Sequence, residues 1–277
     1  MSNACSPMRL PPVFESTVIR PKEFYLEVFS LLNKTAFITG AATGLGQAIA
    51  VALAEAGADV AITDPDVTRL SETANLLRPF NHRIHKCALD VRDLTCIPGV
   101  IAETENELGR LDILINNAGI NRPSPGLEVS PGEWEDHFNT NVRGGLFLAQ
   151  AAAKGMIARK CGRIVFISSQ SGLIGIPGQP VYCATKGAVI QLVRALGVEW
   201  AKHGITVNSI APTFVETNLT RQRLQNPEFR QFVLNKIPCG QFATPRQIAA
   251  AAVYLASDEA AMVNCETHCV DGGWTAW

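Results

Sequence analysis

The sequence predicts an α/β fold in which a doubly wound, seven-stranded parallel sheet carries helices on both faces. Short β-branched or apolar runs alternate with longer segments of helical periodicity from Lys34 to the C-terminus. Such an alternation forms parallel sheets through right-handed crossovers. The chain has 277 residues, and residues 31–277 contain no linker or internal repeat. A single domain is therefore expected.

Seven segments have the length and composition of strands. They are residues 35–39, 59–63, 83–89, 111–115, 163–167, 206–210 and 266–270. Helical periodicity covers residues 47–56, 66–77, a segment ending near 108, and then 131–158, 181–202 and 244–256. Residues 212–240 form the longest stretch without a strand, and we predict a mobile lid over the substrate there. Residues 1–30 are predicted to be an irregular N-terminal arm, because proline and mixed polarity interrupt any regular pattern.

Composition argues against several functional classes. Lys and Arg number 24 against 25 Asp and Glu. The chain therefore lacks the net positive charge that would attract nucleic acid or an anionic membrane. No apolar run reaches the roughly 18 residues that would span a bilayer. Eight cysteines without regular spacing indicate reduced thiols in a cytoplasmic protein. Cys265, His268 and Cys269 lie close together in the sequence, but a fourth zinc ligand is missing, and we predict no metal.

A glycine-rich segment joins the first strand to the first helix. Residues 39–46 read Thr-Gly-Ala-Ala-Thr-Gly-Leu-Gly, and glycines at a helix N-terminus leave backbone N–H groups free to bind a phosphate. This position in a strand–helix–strand unit predicts a dinucleotide-binding domain of the Rossmann type, although a tight structural turn would also use glycine. The predicted phosphate-binding residues are Gly40, Thr43, Gly44, Leu45 and Gly46.

Asp64 ends the second strand, about 20 residues beyond the glycine loop. A carboxylate there can accept hydrogen bonds from both adenosine ribose hydroxyls, and it repels a 2′-phosphate. No Lys or Arg occurs in the glycine loop to bind such a phosphate. We therefore predict NAD as the cofactor. The alternative role for one aspartate here is a helix N-cap, which Asp66 could fill equally well.

Tyr182 and Lys186 are four residues apart, on one face of a predicted helix. A cation about 5 Å from the phenol, at an effective dielectric of about 20, would lower the tyrosine pKa by roughly two units. That shift would bring the pKa of Tyr182 into the useful range for general acid/base catalysis. An ordinary helix surface pair has the same spacing, so the pair alone leaves both interpretations open.

The ordered motifs of this chain resemble those of the short-chain dehydrogenase/reductase family, from about residue 30 to the C-terminus. The shared motifs are the glycine loop, Asp90, Asn116-Asn-Ala-Gly119, Asn141, Ser168-Ser169, Tyr182-x-x-x-Lys186 and Pro212. The resemblance implies that Ser169 polarises the substrate oxygen and that Tyr182 is the catalytic acid/base. It also implies that Lys186 binds the nicotinamide ribose, and that Asn141 extends a proton relay from Lys186 through a backbone-bound water.

The same resemblance implies the remaining cofactor and substrate contacts. Adenine is expected against Asp90 and Val91, the cofactor above Asn117, Ala118 and Gly119, and the nicotinamide end near Pro212, Val215 and Thr217. The candidate substrate contacts are Asn121, Arg122, Gln170, Gln179 and Phe214, each of which also fits a solvated loop. Cys265 stands where members of the family usually have glycine.

The segment 211–217 and the ending 271–276 resemble sugar-acid and polyol dehydrogenases of the gluconate and deoxygluconate type. We therefore expect NAD-dependent oxidation of a secondary alcohol in a sugar, sugar acid or polyol. The alternatives are a 3-oxoacyl-acyl-carrier-protein reductase using NADPH and a non-catalytic NAD-binding sensor or scaffold. A steroid or xenobiotic substrate would require a more apolar lid. Because the family pairs its two long helices between subunits, a homotetramer is expected.

Overall fold

The computed structural model of the protein describes residues 28–276, so the predicted arm lies outside it apart from residues 28–30. The strands are β1 (Thr35–Ile38), β2 (Asp59–Asp64), β3 (Ile84–Ala88), β4 (Ile113–Asn116), β5 (Gly162–Ile167), β6 (Ile205–Pro212) and β7 (Thr267–Val270). They form one parallel sheet in the order β3-β2-β1-β4-β5-β6-β7. The predicted fold class is confirmed, and each predicted strand coincides with an observed one to within two residues at either end.

Helices cover both faces of the sheet. They are α1 (Gly44–Glu55), α2 (Ser71–Leu77), α3 (Ile97–Leu108), α4 (Pro131–Phe138), α5 (Gly144–Arg159), α6 (Pro180–Trp200), α7 (Asn218–Leu224), α8 (Pro227–Lys236) and α9 (Pro245–Ala256). The single helix predicted over 131–158 is divided by a π-helical turn at Asn139–Arg143. The helices α7 and α8 were not predicted, and they occupy most of the predicted lid.

The sheet separates two apolar cores. On one side, α1 and α9 pack Ile49, Leu53 and Ile248 against the strands. On the other side, α3, α5 and α6 supply residues such as Leu148 and Val193. Because both faces are covered, a strand such as β1 is a continuous apolar run rather than an alternating one.

Among residues 28–276, one helix, Pro180–His203, is long and apolar enough to cross a membrane by length and composition. This segment includes α6, which lies against β6. Its residues Val189, Val193 and Trp200 are buried in the core between sheet and helices. Its apolar composition is therefore that of a helix packed on a sheet.

The strand order changes direction at the neighbouring strands β1 and β4, and this geometry creates a crevice at the carboxyl ends of the strands. The predicted lid is attached to the body at both of its ends. Val215 forms a parallel bridge with Ala243, and the Cys239 N–H donates to the carbonyl of Gly272 over 3.1 Å. Movement of the lid residues between these two contacts stays a prediction.

Candidate active site

A cleft of about 390 Å³ lies at the carboxyl edge of the sheet, where β1, β2, β4, β5 and β6 end. It brings together fourteen predicted residues: Gly40, Thr43, Gly44, Leu45, Asp64, Asn117, Ala118, Gly119, Ser169, Tyr182, Lys186, Pro212, Val215 and Thr217. They lie at or just after a strand end, at the start of α1, or on α6, so the parallel topology accounts for their meeting at one place. Gly46 belongs to the same loop.

The glycine loop is built for close approach of a ligand to the backbone. Gly40 and Gly44 have φ of +62° and +63°, which favours glycine. A Cβ at Gly46 would lie 2.2 Å from the carbonyl oxygen of Gly40. Thr43 precedes α1 in an extended conformation and its side chain makes no capping hydrogen bond. The first N–H groups of α1 are therefore available to a phosphate.

Two buried threonines that the sequence analysis missed hold this loop in place. Thr39 Oγ1 accepts from the N–H groups of Asn117 and Ala118 over 3.0 and 2.9 Å. Asn117 Nδ2 donates back to the carbonyls of Thr39 and Gly40 over 2.8 and 3.1 Å. Thr73 Oγ1 donates to the carbonyl of Ala41 over 2.8 Å. A hydroxyl before the first glycine could have been noticed in the sequence, whereas Thr73 comes from α2 and carries no local signal.

The N-cap alternative for Asp64 is resolved by its neighbour. Asp66 caps the short turn at Val67–Leu70, because its carboxylate accepts from the N–H of Thr68 over 2.9 Å. The hydroxyl of Thr68 also donates to it and lowers the pKa of Asp66. Asp64 is buried at the edge of the cleft and is free of that role.

Arg69 is a cleft residue that the sequence analysis missed. Its Nη1 lies 3.2 Å from Oδ1 of Asp64, and both residues line the cleft. We expected no basic group beside the ribose because the glycine loop contains no Lys or Arg. Arg69 lies five residues beyond Asp64, and the short turn at Val67–Leu70 carries it back to the carboxylate.

Asp90 and Val91 lie outside the lining of the cleft. The guanidinium of Arg92 binds both carboxylate oxygens of Asp90, with Nη2 to Oδ2 at 2.7 Å, and lowers the pKa of Asp90. Val91 is buried in the core and packs closely against Gly144. A Cβ added at Gly144 would lie 2.8 Å from the Cβ of Val91. Their contact with adenine stays a prediction.

Ser169, Tyr182 and Lys186 meet at the other end of the cleft. Tyr182 and Ser169 line this end together, and Ser169 Oγ accepts from the N–H of Ser171 over 3.1 Å. Nζ of Lys186 lies 5.6 Å from the centroid of the Tyr182 ring. It donates to the carbonyl of Ile167 over 2.7 Å. Ser169 thus caps the short turn at Gln170–Gly172, and its catalytic role stays a prediction.

The expected lowering of the tyrosine pKa by Lys186 is not found among the protein's own groups. Burial raises the pKa of Tyr182 to about 12, and the neighbouring Ser169 side chain offsets only part of that rise. Burial also lowers the pKa of Lys186 to about 8. An effective dielectric of about 20 leaves out the cost of burying a charged phenolate or ammonium, and that cost dominates here.

Asn141 lies on the π-helical turn between α4 and α5, and its side chain is fully used by the protein. Its Oδ1 accepts from the N–H of Ile120 over 2.8 Å, and its Nδ2 donates to the carbonyl of Ile120 and to Oγ1 of Thr185 over 2.9 and 3.1 Å. A Cβ at Gly119 would lie 3.2 Å from this Oδ1 and 3.7 Å from Nζ of Lys186. Any relay through Asn141 must therefore use its backbone, as predicted, and π turns recur at such functional positions.

None of the five candidate substrate residues lines the cleft. Gln170 and Gln179 are buried, and Asn121 Nδ2 donates to Oε1 of Gln179 over 2.7 Å. Nη1 of Arg122 lies 2.8 Å from Oδ2 of Asp136. Their contact with a substrate stays a prediction.

The inner side of the lid is aromatic. Phe214 stacks on Trp274 with centroids 5.8 Å apart and meets Phe229 edge-on at 5.7 Å. Phe232 stacks on Phe229 in turn, and Phe232 and Trp274 line a neighbouring cleft of about 480 Å³ beside Lys236. The polar residues of 217–236 predicted a polar lid. The structure adds an aromatic surface that this prediction did not include.

Cys265 has a φ of +63°, in the left-handed region. This conformation explains why the family usually has glycine at this position. The thiol occupies space that a second glycine provides, because a Cβ at Gly197 would lie 2.6 Å from Sγ of Cys265. Across residues 28–276, no group of three His, Cys, Asp or Glu side chains is placed to hold a metal ion.

Residues 40–275 match the family model described as enoyl-(acyl carrier protein) reductase. The 2-dehydro-3-deoxy-D-gluconate 5-dehydrogenase of Escherichia coli (strain K12) is 38% identical over 91% of this chain and 99% of its own length. The 3-oxoacyl-[acyl-carrier-protein] reductase of Vibrio harveyi is 37% identical over 88% of this chain and 98% of its own.

Solved structures show the same relationship. A protein from Sinorhizobium meliloti 1021, described as a short-chain alcohol dehydrogenase, superimposes with a TM-score of 0.88 at 39% identity, over 90% of this chain and 99% of its own. This chain is a short-chain dehydrogenase/reductase. The family resemblance predicted from the motifs is thus confirmed, and this short-chain dehydrogenase/reductase is an oxidoreductase related to gluconate dehydrogenases.

A third relative bears on the cofactor of this short-chain dehydrogenase/reductase. The gluconate 5-dehydrogenase of Burkholderia cenocepacia J2315, solved in complex with NADP and tartrate, is 35% identical over 91% of this chain and 99% of its own, with a TM-score of 0.88. The family uses nicotinamide cofactors, and the glycine loop and Asp64 are the residues suited to one here.

Proposed function

We propose that the protein is an NAD-dependent dehydrogenase that oxidises a secondary alcohol in a sugar, sugar acid or polyol. The observation that carries the proposal is the layout of the 390 Å³ cleft. A glycine loop and Asp64 lie at one end, and Ser169, Tyr182 and Lys186 lie at the other. This layout separates a nucleotide-binding end from a proton-transfer end within one continuous space.

The residues present fit a dinucleotide. The free N–H groups at the start of α1 suit its pyrophosphate, and the close approach at Gly46 leaves the backbone uncovered. Both hydrogen bonds that the Asp64 side chain accepts within residues 28–276 go to its Oδ1, so Oδ2 can accept from a ribose hydroxyl. The prediction of NAD rests on that carboxylate.

Bound nicotinamide supplies the hydride acceptor, and the protein's own residues handle the proton and the alcohol oxygen. Ser169 donates a hydrogen bond to the alcohol oxygen. In the oxidative direction, Tyr182 Oη takes the proton of the alcohol as a phenolate, after its own proton has left towards Lys186 and solvent. Because burial raises the pKa of Tyr182 to about 12, the phenol is already protonated at neutral pH and suited to donate in the reductive direction. Lys186 supplies the positive charge beside the proton of Tyr182. The backbone of Asn141 connects Lys186 towards solvent.

The substrate class rests on the gluconate-type relatives and on polar groups near Tyr182. Gln179 lies one helical turn before Tyr182, and Gln170 follows Ser169 directly. Side-chain nitrogen or oxygen atoms of Gln170, Gln179 and Asn121 are buried without a partner within residues 28–276. These atoms lie outside the lining of the cleft, so they would meet the hydroxyls of a polyhydroxylated substrate only after a rearrangement of their side chains. Once its guanidinium leaves Asp136, Arg122 would supply a positive charge for an acidic substrate. Phe214 would form an apolar wall of the substrate site.

Replacement of Tyr182 with Phe tests the proposal. We expect NAD reduction with a panel of aldonic acids and polyols, followed by absorbance, to fall by about 1,000-fold or more, because the proton acceptor is removed. NAD binding should change by less than about twofold. Tyr254→Phe is the matched control, since Tyr254 packs on Phe29 far from the cleft. Full turnover by Tyr182→Phe would refute the assignment.

A 3-oxoacyl-acyl-carrier-protein reductase is the second candidate, favoured by the matching family model and the Vibrio harveyi relative. It would reduce acetoacetyl thioesters with NADPH and leave polyols unchanged. Turnover confined to thioesters would replace the proposed substrate class, while the roles of Tyr182 and Ser169 would be unaffected.

We also propose a cytoplasmic homotetramer that pairs α5 and α6 between subunits and has no nucleic-acid or membrane partner. Phe147 on α5 and Val198 on α6 are 38% and 74% exposed, although both are apolar. The seven cysteines of the described chain are free thiols, which suits a reducing compartment. Light scattering should give four times the chain mass, and a monomeric mass would contradict the assembly.

A further inference from the structure

The loop that leaves β4 at residues 119–122, here called the wall loop, is held by its backbone at two positions. Its residue Ile120 lines the cleft. The side chain of Asn141 accepts from the N–H of Ile120 and donates to its carbonyl, over 2.8 and 2.9 Å. Two residues further along, the N–H of Arg122 donates to Nε2 of His137 over 3.1 Å. A histidine therefore holds the wall loop beside Asn141.

The partners of His137 determine where its ring carries a proton. The side chain is completely buried, and Nδ1 lies 2.8 Å from the carbonyl oxygen of Glu133. A backbone carbonyl can only accept and the N–H of Arg122 can only donate. Nδ1 must therefore carry the proton and Nε2 must carry none, which makes His137 a neutral imidazole with its acceptor aimed at the wall loop.

We propose that His137 is a positioning residue of the alcohol site, which fixes the wall loop by accepting the N–H of Arg122 at Nε2. The proposal rests on the proposed function. His137 lies outside the lining of the cleft and touches no reacting atom. It acts through the backbone of the wall loop, which brings Ile120 into the same cleft as Tyr182.

The other contacts of the wall loop do not replace this hydrogen bond. The guanidinium of Arg122 pairs with Asp136, but their side chains are 59% and 41% exposed, and exposed pairs contribute little. The side chain of Asn121 donates to Gln179 at the start of α6, which leaves the next N–H without an acceptor. A backbone N–H in the interior needs an acceptor. The loop therefore keeps this path only while an acceptor stands at the position of Nε2.

Two substitutions of His137 separate its acceptor from its polarity. Glutamine is long enough to place its amide oxygen near the position of Nε2, whereas asparagine reaches only to that of Nδ1. We expect kcat/KM for the alcohol to fall on the order of 10- to 100-fold in His137→Asn, as for a displacement of about 1 Å or the loss of a buried acceptor. His137→Gln should stay within about threefold of the unmodified protein.

The loss should lie mainly in KM for the alcohol, because the wall loop borders the site and transfers no proton. Affinity for ADP, measured by calorimetry, should stay within about twofold in both variants, since other residues form the adenosine end of the cleft. His85→Asn is the matched control. His85 lies on the edge strand β3, with Nε2 3.3 Å from Oε1 of Glu103, and its replacement should change neither quantity.

Nitrogen NMR of protein labelled at its five histidines tests the ring directly and without turnover. The signals that disappear in His137→Gln belong to His137. We expect a proton on Nδ1 and none on Nε2 at neutral pH, because a proton on Nε2 would face the N–H of Arg122.

A proton on Nε2 of His137 would overturn the proposal. So would a folded His137→Gln variant that loses more than about tenfold in kcat/KM, whether or not His137→Asn folds. An equal loss of ADP affinity and kcat/KM in His137→Asn would also do so, since it would indicate general damage. Thermal melting checks that each variant is folded. Failure of the unmodified protein to turn over any alcohol or ketone with NAD or NADP would instead refute the proposed function.

Discussion

The two ends of the active-site cleft are built on different principles. At the cofactor end, the binding atoms belong to the backbone, and buried hydrogen bonds from Thr39 and Thr73 fix them. Beside the substrate end, outside the lining of the cleft, aromatic side chains from the lid and the C-terminus, such as Phe214 and Trp274, pack on one another. A backbone site tolerates almost no added atom, whereas a surface of side chains can be altered without loss of the fold. Binding is thus fixed at one end and adjustable at the other.

The largest effect is expected from Gly46→Ala at the cofactor end. The new Cβ would lie 2.2 Å from the carbonyl oxygen of Gly40, so the loop must shift. We expect NAD affinity, measured by calorimetry, to fall on the order of 100-fold, as for a misplacement of about 1 Å. Gly175→Ala is the control in the loop beside the lid, where a Cβ meets nothing within 4 Å. Comparable losses in both variants would remove the distinction between the two ends.

Trp274→Leu should act on the substrate end alone. The substitution removes the stacking of Trp274 on Phe214, and we expect KM for the alcohol to rise about tenfold while NAD affinity stays within about twofold. Steady-state kinetics with each substrate varied in turn measures both. Trp134→Leu, which removes the stacked pair with Phe138 on α4, is the control. A matching loss of NAD affinity in Trp274→Leu would show that the two ends are not separable.

Lys186→Met tests the energetic cost of a buried charge at the end of the cleft that holds Tyr182. Burial lowers the pKa of Lys186 from 10.5 to about 8, so the charged form is disfavoured in the fold. Below pH 8 the unmodified protein carries this penalty in full, and between pH 8 and about 10 the folded state loses its proton first, so its stability rises with pH. We expect Lys186→Met, without added nucleotide, to be more stable by about 1–3 kcal/mol at pH 7.

Denaturant unfolding of both proteins across pH 7 to 10 measures that difference. The advantage of Lys186→Met should shrink as the pH rises, and other titrating groups cancel in the comparison because both proteins contain them. The variant should also lose turnover. A stability difference that does not vary with pH would contradict the assignment of this energetic cost to a buried charge.

The smallest effect is expected away from the cleft, at Cys265. Because its φ is +63°, Cys265→Gly should be more stable than Cys265→Ala by about 1 kcal/mol, which reverses the usual order of these residues. The two variants remove the same thiol, so the difference isolates the backbone conformation. Thermal melting should show a gap of roughly 2 °C. An alanine variant that melts higher than the glycine variant would exclude backbone strain at this position.

The sequence predicted the cofactor end better than the substrate end, for a physical reason. Gly40, Asp64 and Asn117 follow strand ends, and parallel topology must bring such positions together. The contacts of Arg122 depend on α4, and those of Phe214 depend on how the lid folds back. No local period encodes either. Arg69 was missed because its relation to Asp64 arises from a turn. The pKa of Tyr182 was misjudged because burial, rather than distance to a cation, dominates it.

The close contact between Cys265 and Gly197 also restricts which residues this chain can acquire in evolution. A side chain at 197 would occupy the place of the thiol, with its Cβ 2.6 Å from Sγ. The same Cβ would lie 2.8 Å from Oδ1 of Asn264, so a larger residue at 197 conflicts with two neighbouring side chains. Close descendants of this chain should therefore keep glycine at 197, whichever residue they carry at 265.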